Sequence, residues 1–354
     1  MARGKRANWQ PSPMPVVIAV DPRAPEHTSR DALVEAARVL RAGGLVAFPT
    51  ETVYGLGALA VDERALARVF RAKGRPLHHP LIAHVEDEGR ARALAASWPE
   101  AAARLARAFW PGPLTVVVER AGHVPAAIAG GASSIALRVP SHPVALALLA
   151  QLGEPIAAPS ANRYQGLSPT TAAHVVKELG DRVDLVLDAG PCAAGIESTV
   201  IDVRVDPPRV LRLGAADLAA LRRVVPGLGV RSDDPASADT RASPGMDARH
   251  YAPRARMVIA PSRDAAIARA RSLSASGVPV GLVVHDPTTP GEAAGIELRV
   301  LPSEPLEYAR RLYGTLHDLD DAGVRGIVVQ AVPSDDEAWG AVADRLARGS
   351  GPRI

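Results

Sequence analysis

The sequence predicts an α/β protein of two domains, a mixed sheet first and a smaller, doubly wound parallel sheet second. Three observations carry this. The chain has 354 residues, more than one ordinary hydrophobic core serves. As far as residue 225, strand patterns outnumber helical ones and the connections vary in length, which describes a mixed sheet. From residue 256 onward strand and helix patterns alternate, as parallel sheets require. Between these stretches, residues 226–248 are rich in Pro, Gly, Ser, Asp and Ala and nearly lack large apolar side chains, the composition of a mobile linker. The expected divisions are a first domain at 16–225, a linker at 226–255 and a second domain at 256–349.

Residues 1–15 read as a frayed tail and 16–20 as a short apolar strand. A helix over 29–42 follows from the stripe Leu33, Ala36, Ala37 and Leu40, with Thr28 and Asp31 at capping-box spacing and Gly43-Gly44 as its stop. Residues 45–48 form a buried strand that runs into the glycine- and threonine-rich stretch starting at Pro49, read as turns. Next, Ala65, Val69 and Ala72 share one helical face. Gly74 stands where a C-cap glycine belongs, and Pro76 forbids continuation. Further strands are expected at 80–85, 114–119, 134–139, 155–158, 185–188, 198–203 and 209–213. Helices are expected at 89–97, 99–109, 142–152 and 216–225. Ser168-Pro169 reads as N-cap and first position of another helix, closed by Gly180. In the second domain, strands at 257–260, 280–284, 297–301 and 326–330 alternate with helices at 263–275 and 305–321. Ser334 and Glu337 make a capping box for a last helix.

Composition narrows the function. Hydrophobic residues are 47% but aromatics only 3%, so the cores must be built from Ala, Val, Leu and Ile. A net charge of +3 suits anionic substrates or RNA, without the excess of a dedicated nucleic-acid binder. The single cysteine, Cys192, excludes an intrachain disulfide framework and a multi-cysteine zinc site. No apolar run reaches membrane-span length, and the basic N-terminus leads into prolines rather than a secretory segment, so a cytoplasmic, soluble protein is expected.

Several stretches carry possible chemistry. Lys73 is one of only three lysines in the sequence, and it stands two positions before Arg75 at a helix end. Two cations this close suit a multiply charged anion such as a triphosphate, although they would also complement a helix dipole from the surface. His78, His79 and His84 suggest a metal cluster, but their spacing fits no H-E-x-x-H site and His79 and His84 fall on opposite faces of an extended segment, so hydrogen bonding in a pocket is the reading kept. Pro159-Ser160-Ala161-Asn162 ends a strand with small residues that let donors approach a phosphate, or is an ordinary turn. Ser168 is a helix cap or an anion contact. Arg212 alternates outward in its strand and reads as a surface arginine or a site cation. The G-x-x-x-x-G-K-[ST] loop, the G-x-G-x-x-G turn and the G-x-S-x-G elbow are all absent from the sequence.

In register along the chain, PTETVYGLG from Pro49, KGRP from Lys73 with PLIAH from Pro80, WPGPLT from Trp110, SIALRVP from Ser134, PIAAPSAN from Pro155, ESTVID from Glu197, VLRLGA from Val210 and SPGMDARHYAP from Ser243 resemble the threonylcarbamoyl-AMP synthases of the longer, two-domain type. The resemblance implies a YrdC-like first domain, a twisted mixed sheet with a concave cavity, and a Rossmann-like C-terminal domain. It implies synthesis of L-threonylcarbamoyl-AMP from L-threonine, bicarbonate or CO2, and ATP, with release of pyrophosphate. A transferase complex that modifies tRNA adenosine would take the product. Carried over by position, Thr52, His84, Arg138, Ala158 and Ser198 would hold threonine. Lys73, Arg75, His79, Ser134, Ser160, Asn162, Ser168, Arg212 and Tyr251 would surround the nucleotide. Mg²⁺ is expected, held by phosphates and water. The segment 243–253 is expected to close over the cavity mouth, with Tyr251 reaching the nucleotide, or else to be a plain strap. Two other readings are an RNA-binding module on the same basic concave surface, with weak RNA contact, and a carbamoyl-transfer enzyme using carbamoyl phosphate.

Overall fold

The computed structural model describes residues 14–230, 250–287, 293–333 and 335–350. Most of the proposed linker and tail therefore lies outside the described residues, as do Ser243 to Arg249 of the proposed lid and Ser334 of the proposed capping box.

The strands of the first unit, in chain order, are β1 (Val16–Ala19), β2 (Val46–Phe48), β3 (Gly55–Leu59), β4 (Ile82–His84), β5 (Leu114–Glu119), β6 (Ser134–Arg138), β7 (Ile156–Ala157), β8 (Leu185–Asp188), β9 (Thr199–Asp202), β10 (Arg209–Arg212) and β11 (Gly229–Val230). They form one sheet in the order β1-β8-β2-β3-β7-β4-β6-β5-β9-β10-β11. The sheet is mixed: β4 runs parallel to β6, and β5 to β9, whereas β3 pairs antiparallel with β7 and β5 with β6. Both faces are buried, and the period-2 alternation of β-structure divides the apolar side chains between them. Leu45 and Ala47 join the core that contains Leu66, Val69 and Leu105, while Val46 and Phe48 join the one that contains Leu33, Leu40 and Leu148.

Three local readings are corrected. The glycine-rich stretch after β2 is not all turn, because Gly55–Leu59 is strand β3. At Gly57 an added Cβ would lie 2.9 Å from Ile156 and Phe48 side-chain atoms, so the glycine answers close packing. The helix after Pro169 is Ala172–Leu179, capped by Thr171, which accepts from the His174 N–H. Pro169 lies outside the helix, and its carbonyl accepts the Tyr54 N–H at 2.9 Å. Finally, Thr28 does not cap the helix Arg30–Arg41; its hydroxyl donates back to the Ala24 carbonyl.

The second unit has four parallel strands, β12 (Arg256–Ala260), β13 (Val280–Val284), β14 (Glu297–Val300) and β15 (Gly326–Gln330), in the order β12-β15-β13-β14. Its helices include Arg263–Ala275 and Pro305–Asp321, both within the bounds expected from the sequence. The units interleave along the sequence, for Tyr164–Ser168 and Ala193–Ile196 belong with the C-terminal one. A cavity of about 610 Å³ opens in this unit at the carboxyl ends of β12, β13 and β15, with Ile259, His285 and Val332 in its wall. Among the described residues, no helix is long and apolar enough to cross a membrane.

Candidate functional site

The helix Glu63–Lys73 is started by Asp62, whose carboxylate accepts from the Arg64 and Ala65 N–H groups, and ended by Gly74 at φ 65°. Only glycine adopts that left-handed turn freely, and it carries the chain away just after Lys73. Lys73 is therefore the last helical residue, and its side chain turns inward and is buried. Its Nζ donates to the carbonyls of Ser160 and Asn162, both at 2.5 Å, and lies 3.4 Å from Asn162 Oδ1. Those carbonyls converge because β7 stops at Ala157 and the following turn is tied to β3, Leu56 donating to Pro159 O and Ala161 to Tyr54 O. Burial, and then the nearby Arg75 charge, push the Lys73 ammonium well below its usual range. Arg75 is buried too, with Nη2 donating to the Pro80 carbonyl at 3.2 Å. His79 follows in the same turn, its ring 4.6 Å from that of His78.

A second cluster forms where β4 and β6 end side by side, with His84 opposite Arg138 in the parallel register. Arg138 Nη2 lies 2.8 Å from Glu51 Oε1, and its Nε donates to the Gly112 carbonyl at 3.3 Å. Burial pushes the Glu51 carboxyl up, but the Arg138 charge and the backbone N–H groups of Glu51 and Ser141 outweigh it and hold the carboxyl below its usual range. Burial, reinforced by the Arg138 charge, pushes the His84 imidazole down to about 3, so it is neutral near pH 7. Its Nδ1 is buried and makes no hydrogen bond among the described residues. Thr52 is buried next to Glu51, its hydroxyl 2.8 Å from that of Thr50.

A third cluster joins Ser198 and Arg212. The Ser198 hydroxyl lies 2.8 Å from Thr115 Oγ1. Arg212 Nε and Nη2 donate to the Ser198 carbonyl at 3.1 and 2.9 Å, and Nη2 also reaches Ser198 Oγ. The reading of Arg212 as a surface arginine is thus corrected: it is only 7% exposed. The register between β9 and β10 shifts between Val210 and Arg212, and such an irregularity turns a side chain against simple alternation. Gly214 makes the close approach possible, since a Cβ there would lie 2.3 Å from the Glu197 carbonyl oxygen.

Among the remaining predicted positions, Ala158 is buried with its N–H on the Ile82 carbonyl, and Ser134 is the buried first residue of β6. Ser168 and Tyr251 belong to the second unit. There the Ser168 carbonyl lies 3.2 Å from His317 Nε2, and the buried Tyr251 ring carries the Arg345 guanidinium 4.8 Å from its centroid. The sequence reading missed Glu51, Thr115 and Gly214. Glu51 sits inside a stretch read only for its threonines and glycines, and Thr115 is indistinguishable from any strand threonine until its partner across the sheet is known. Among the described residues no group of three or more His, Cys, Asp or Glu side chains is placed to hold a metal, so the described side chains do not form a Mg²⁺ cage.

Residues 38–214 match the Sua5_yciO_yrdC family, described as "Telomere recombination", and residues 216–351 match the family described as "Threonylcarbamoyl-AMP synthase, C-terminal domain". The chain is 40% identical over 351 residues to the threonylcarbamoyl-AMP synthase of Pyrococcus abyssi, covering 96% of this chain and 99% of that protein. It is 34% identical over 330 residues to the enzyme of the same name from Bacillus subtilis, covering 92% and 95%. Its structure resembles the crystal structure of P. abyssi Sua5 complexed with L-threonine, with a TM-score of 0.87 at 36% identity over 95% of this chain and 97% of that one. The crystal structure of E. coli YciO matches 59% of this chain and 100% of its own, with a TM-score of 0.53 at 27% identity. These likenesses favour the synthase over an RNA-binding module.

Proposed function

The chain belongs to the threonylcarbamoyl-AMP synthase family, and we propose that it makes L-threonylcarbamoyl-AMP from L-threonine, CO2 or bicarbonate, and ATP. The observation that carries this reading is likeness to a synthase of that name along 96% of the chain. In the reaction, the threonine amine adds CO2 to give a carbamate. A carbamate oxygen then attacks the α-phosphorus, and the bond to pyrophosphate breaks. Such chemistry asks mainly for positioning and for charge to meet the phosphates.

The clusters divide that work. Lys73 and Arg75 would face the phosphates with Arg212, while His79, Ser134, Ser160 and Asn162 would surround the nucleotide. Arg138 would clamp the threonine carboxylate with its guanidinium fork. Thr52, His84, Ala158 and Ser198 would complete a small pocket around the amino acid. Mg²⁺ would reach the site on ATP, held by phosphate and water oxygens, and its usual contribution there is charge neutralisation. The product would pass to the transferase complex that modifies tRNA adenosine, and the protein would work in the cytoplasm. The domains would divide as 16–225 and 256–349, joined by the segment between them. Purified protein incubated with ATP, threonine and bicarbonate should release pyrophosphate only when threonine is present, and mass spectrometry should find the mixed adenylate. Pyrophosphate release independent of threonine would overturn the reading.

A further inference from the structure

The pairing of Arg138 with Glu51 has no place among the roles assigned so far. The two residues come from separate elements, Glu51 from the turn after β2 and Arg138 from the end of β6. Their side chains are 12% and 4% exposed, and the charged atoms lie 2.8 Å apart. A buried ion pair is a poor device for stability, because removing two charges from water costs about as much as their attraction returns, and well-packed apolar residues often do better. What such a pair does well is fix geometry. The guanidinium is held on two sides, Nε on the Gly112 carbonyl and Nη2 on Glu51, while Nη1 makes no hydrogen bond or ion pair among the described residues. The Glu51 carboxylate is buried as well, and among the described residues its oxygens have this ion pair with Arg138 and no hydrogen bond. An arginine gripped this way offers the remaining end of its fork in one orientation, and a planar fork meets a carboxylate well only when correctly aimed.

We propose that Glu51 is a positioning residue for threonine: its carboxylate, set against the Nη2 side of Arg138, aims the open end of the guanidinium at the amino-acid carboxylate. This rests on the reading of Arg138 as the threonine clamp. The pair also leaves this cluster formally neutral, which matches a zwitterionic amino acid and not a polyphosphate.

Steady-state kinetics of threonine-dependent pyrophosphate release on the full-length protein test the proposal, using Glu51→Gln, Arg138→Gln and the double variant. Gln keeps the shape of Glu51 and removes its charge. Glu51→Gln should raise the KM for threonine by about tenfold or more, the usual worth of a charge-assisted contact, and leave the KM for ATP within about twofold. Because Glu51 acts through Arg138, adding Glu51→Gln to Arg138→Gln should change the threonine KM by less than about twofold. Glu51→Asp keeps the charge at shorter reach and should fall between wild type and Gln, which keeps the test open if the Gln variant folds poorly. An unchanged or lowered threonine KM in Glu51→Gln, an equal rise in both KM values, or effects that multiply in the double variant would each overturn the positioning role while Arg138 remains the clamp. An unchanged threonine KM in Arg138→Gln would instead remove the clamp reading, and the inference with it.

Discussion

Lys73 and Arg138 are both cations buried in the same unit, and the protein treats them in opposite ways. Lys73 meets backbone carbonyls and a neighbouring arginine, and its charge is disfavoured where it sits. Arg138 meets a carboxylate as well as a carbonyl. A buried ammonium compensated mainly by carbonyl dipoles gains most from an arriving anion of high charge. A guanidinium already paired with a carboxylate gains less and selects by shape. The difference teaches that burial of a basic residue does not by itself mark a phosphate site; what accompanies the charge decides which ligand it suits.

The largest effect expected from this contrast is at Lys73. Replacing Lys73 with Ala should lower turnover by a factor of roughly 30 to 1000, the worth of one charge-assisted contact in a phosphoryl-transfer transition state, and Arg75→Ala should act similarly. Melting curves of both variants should stay close to wild type. Near-normal turnover would break the comparison on its phosphate side.

A smaller effect is expected where backbone meets backbone. Gly214→Ala would place a methyl 2.3 Å from the Glu197 carbonyl oxygen and within 2.4 Å of the Thr199 nitrogen. The strand ends must part, which should cost about 1–3 kcal/mol and displace Ser198 from Arg212. Denaturant unfolding and the threonine KM would report it, and an unaltered midpoint would show that the contact yields easily.

The third effect concerns pH and sharpens the picture of the amino-acid cluster. His84 stays neutral in the fold down to about pH 3, while in the unfolded chain it takes up a proton near 6.5. Between those values the unfolded state binds more protons, so stability should rise with pH across the window and be lost as pH falls through it. The gain from this one group is at most a few kcal/mol. His84→Leu should show a shallower rise between pH 4 and 6.5 by chemical denaturation, and an unchanged slope would mean that the imidazole is not held neutral.

Legibility in the sequence followed the range of the interactions. A helix with a clear stripe and a glycine stop, such as Glu63–Lys73, was readable because its causes are local. Strand β3 was not, since its glycines are explained by Phe48 and Ile156 on neighbouring strands. Gly74 and Pro76 announced where Lys73 sits, but nothing local tells that its ammonium turns inward to Ser160 and Asn162, 87 and 89 positions away. Arg212 was misread as plausibly outward because alternation assumes a regular ladder, and the ladder shifts there. Glu51 escaped notice because its partner lies on β6 and only the folded sheet brings them together.

The central claim is that one cluster binds nucleotide phosphate and the other binds threonine. Calorimetric titration of Lys73→Met and Arg138→Gln, each with ATP and separately with threonine, tests it most directly. The account predicts a crossed pattern, in which Lys73→Met loses ATP affinity and keeps threonine, and Arg138→Gln loses threonine affinity and keeps ATP. Loss of the same ligand in both variants would contradict it.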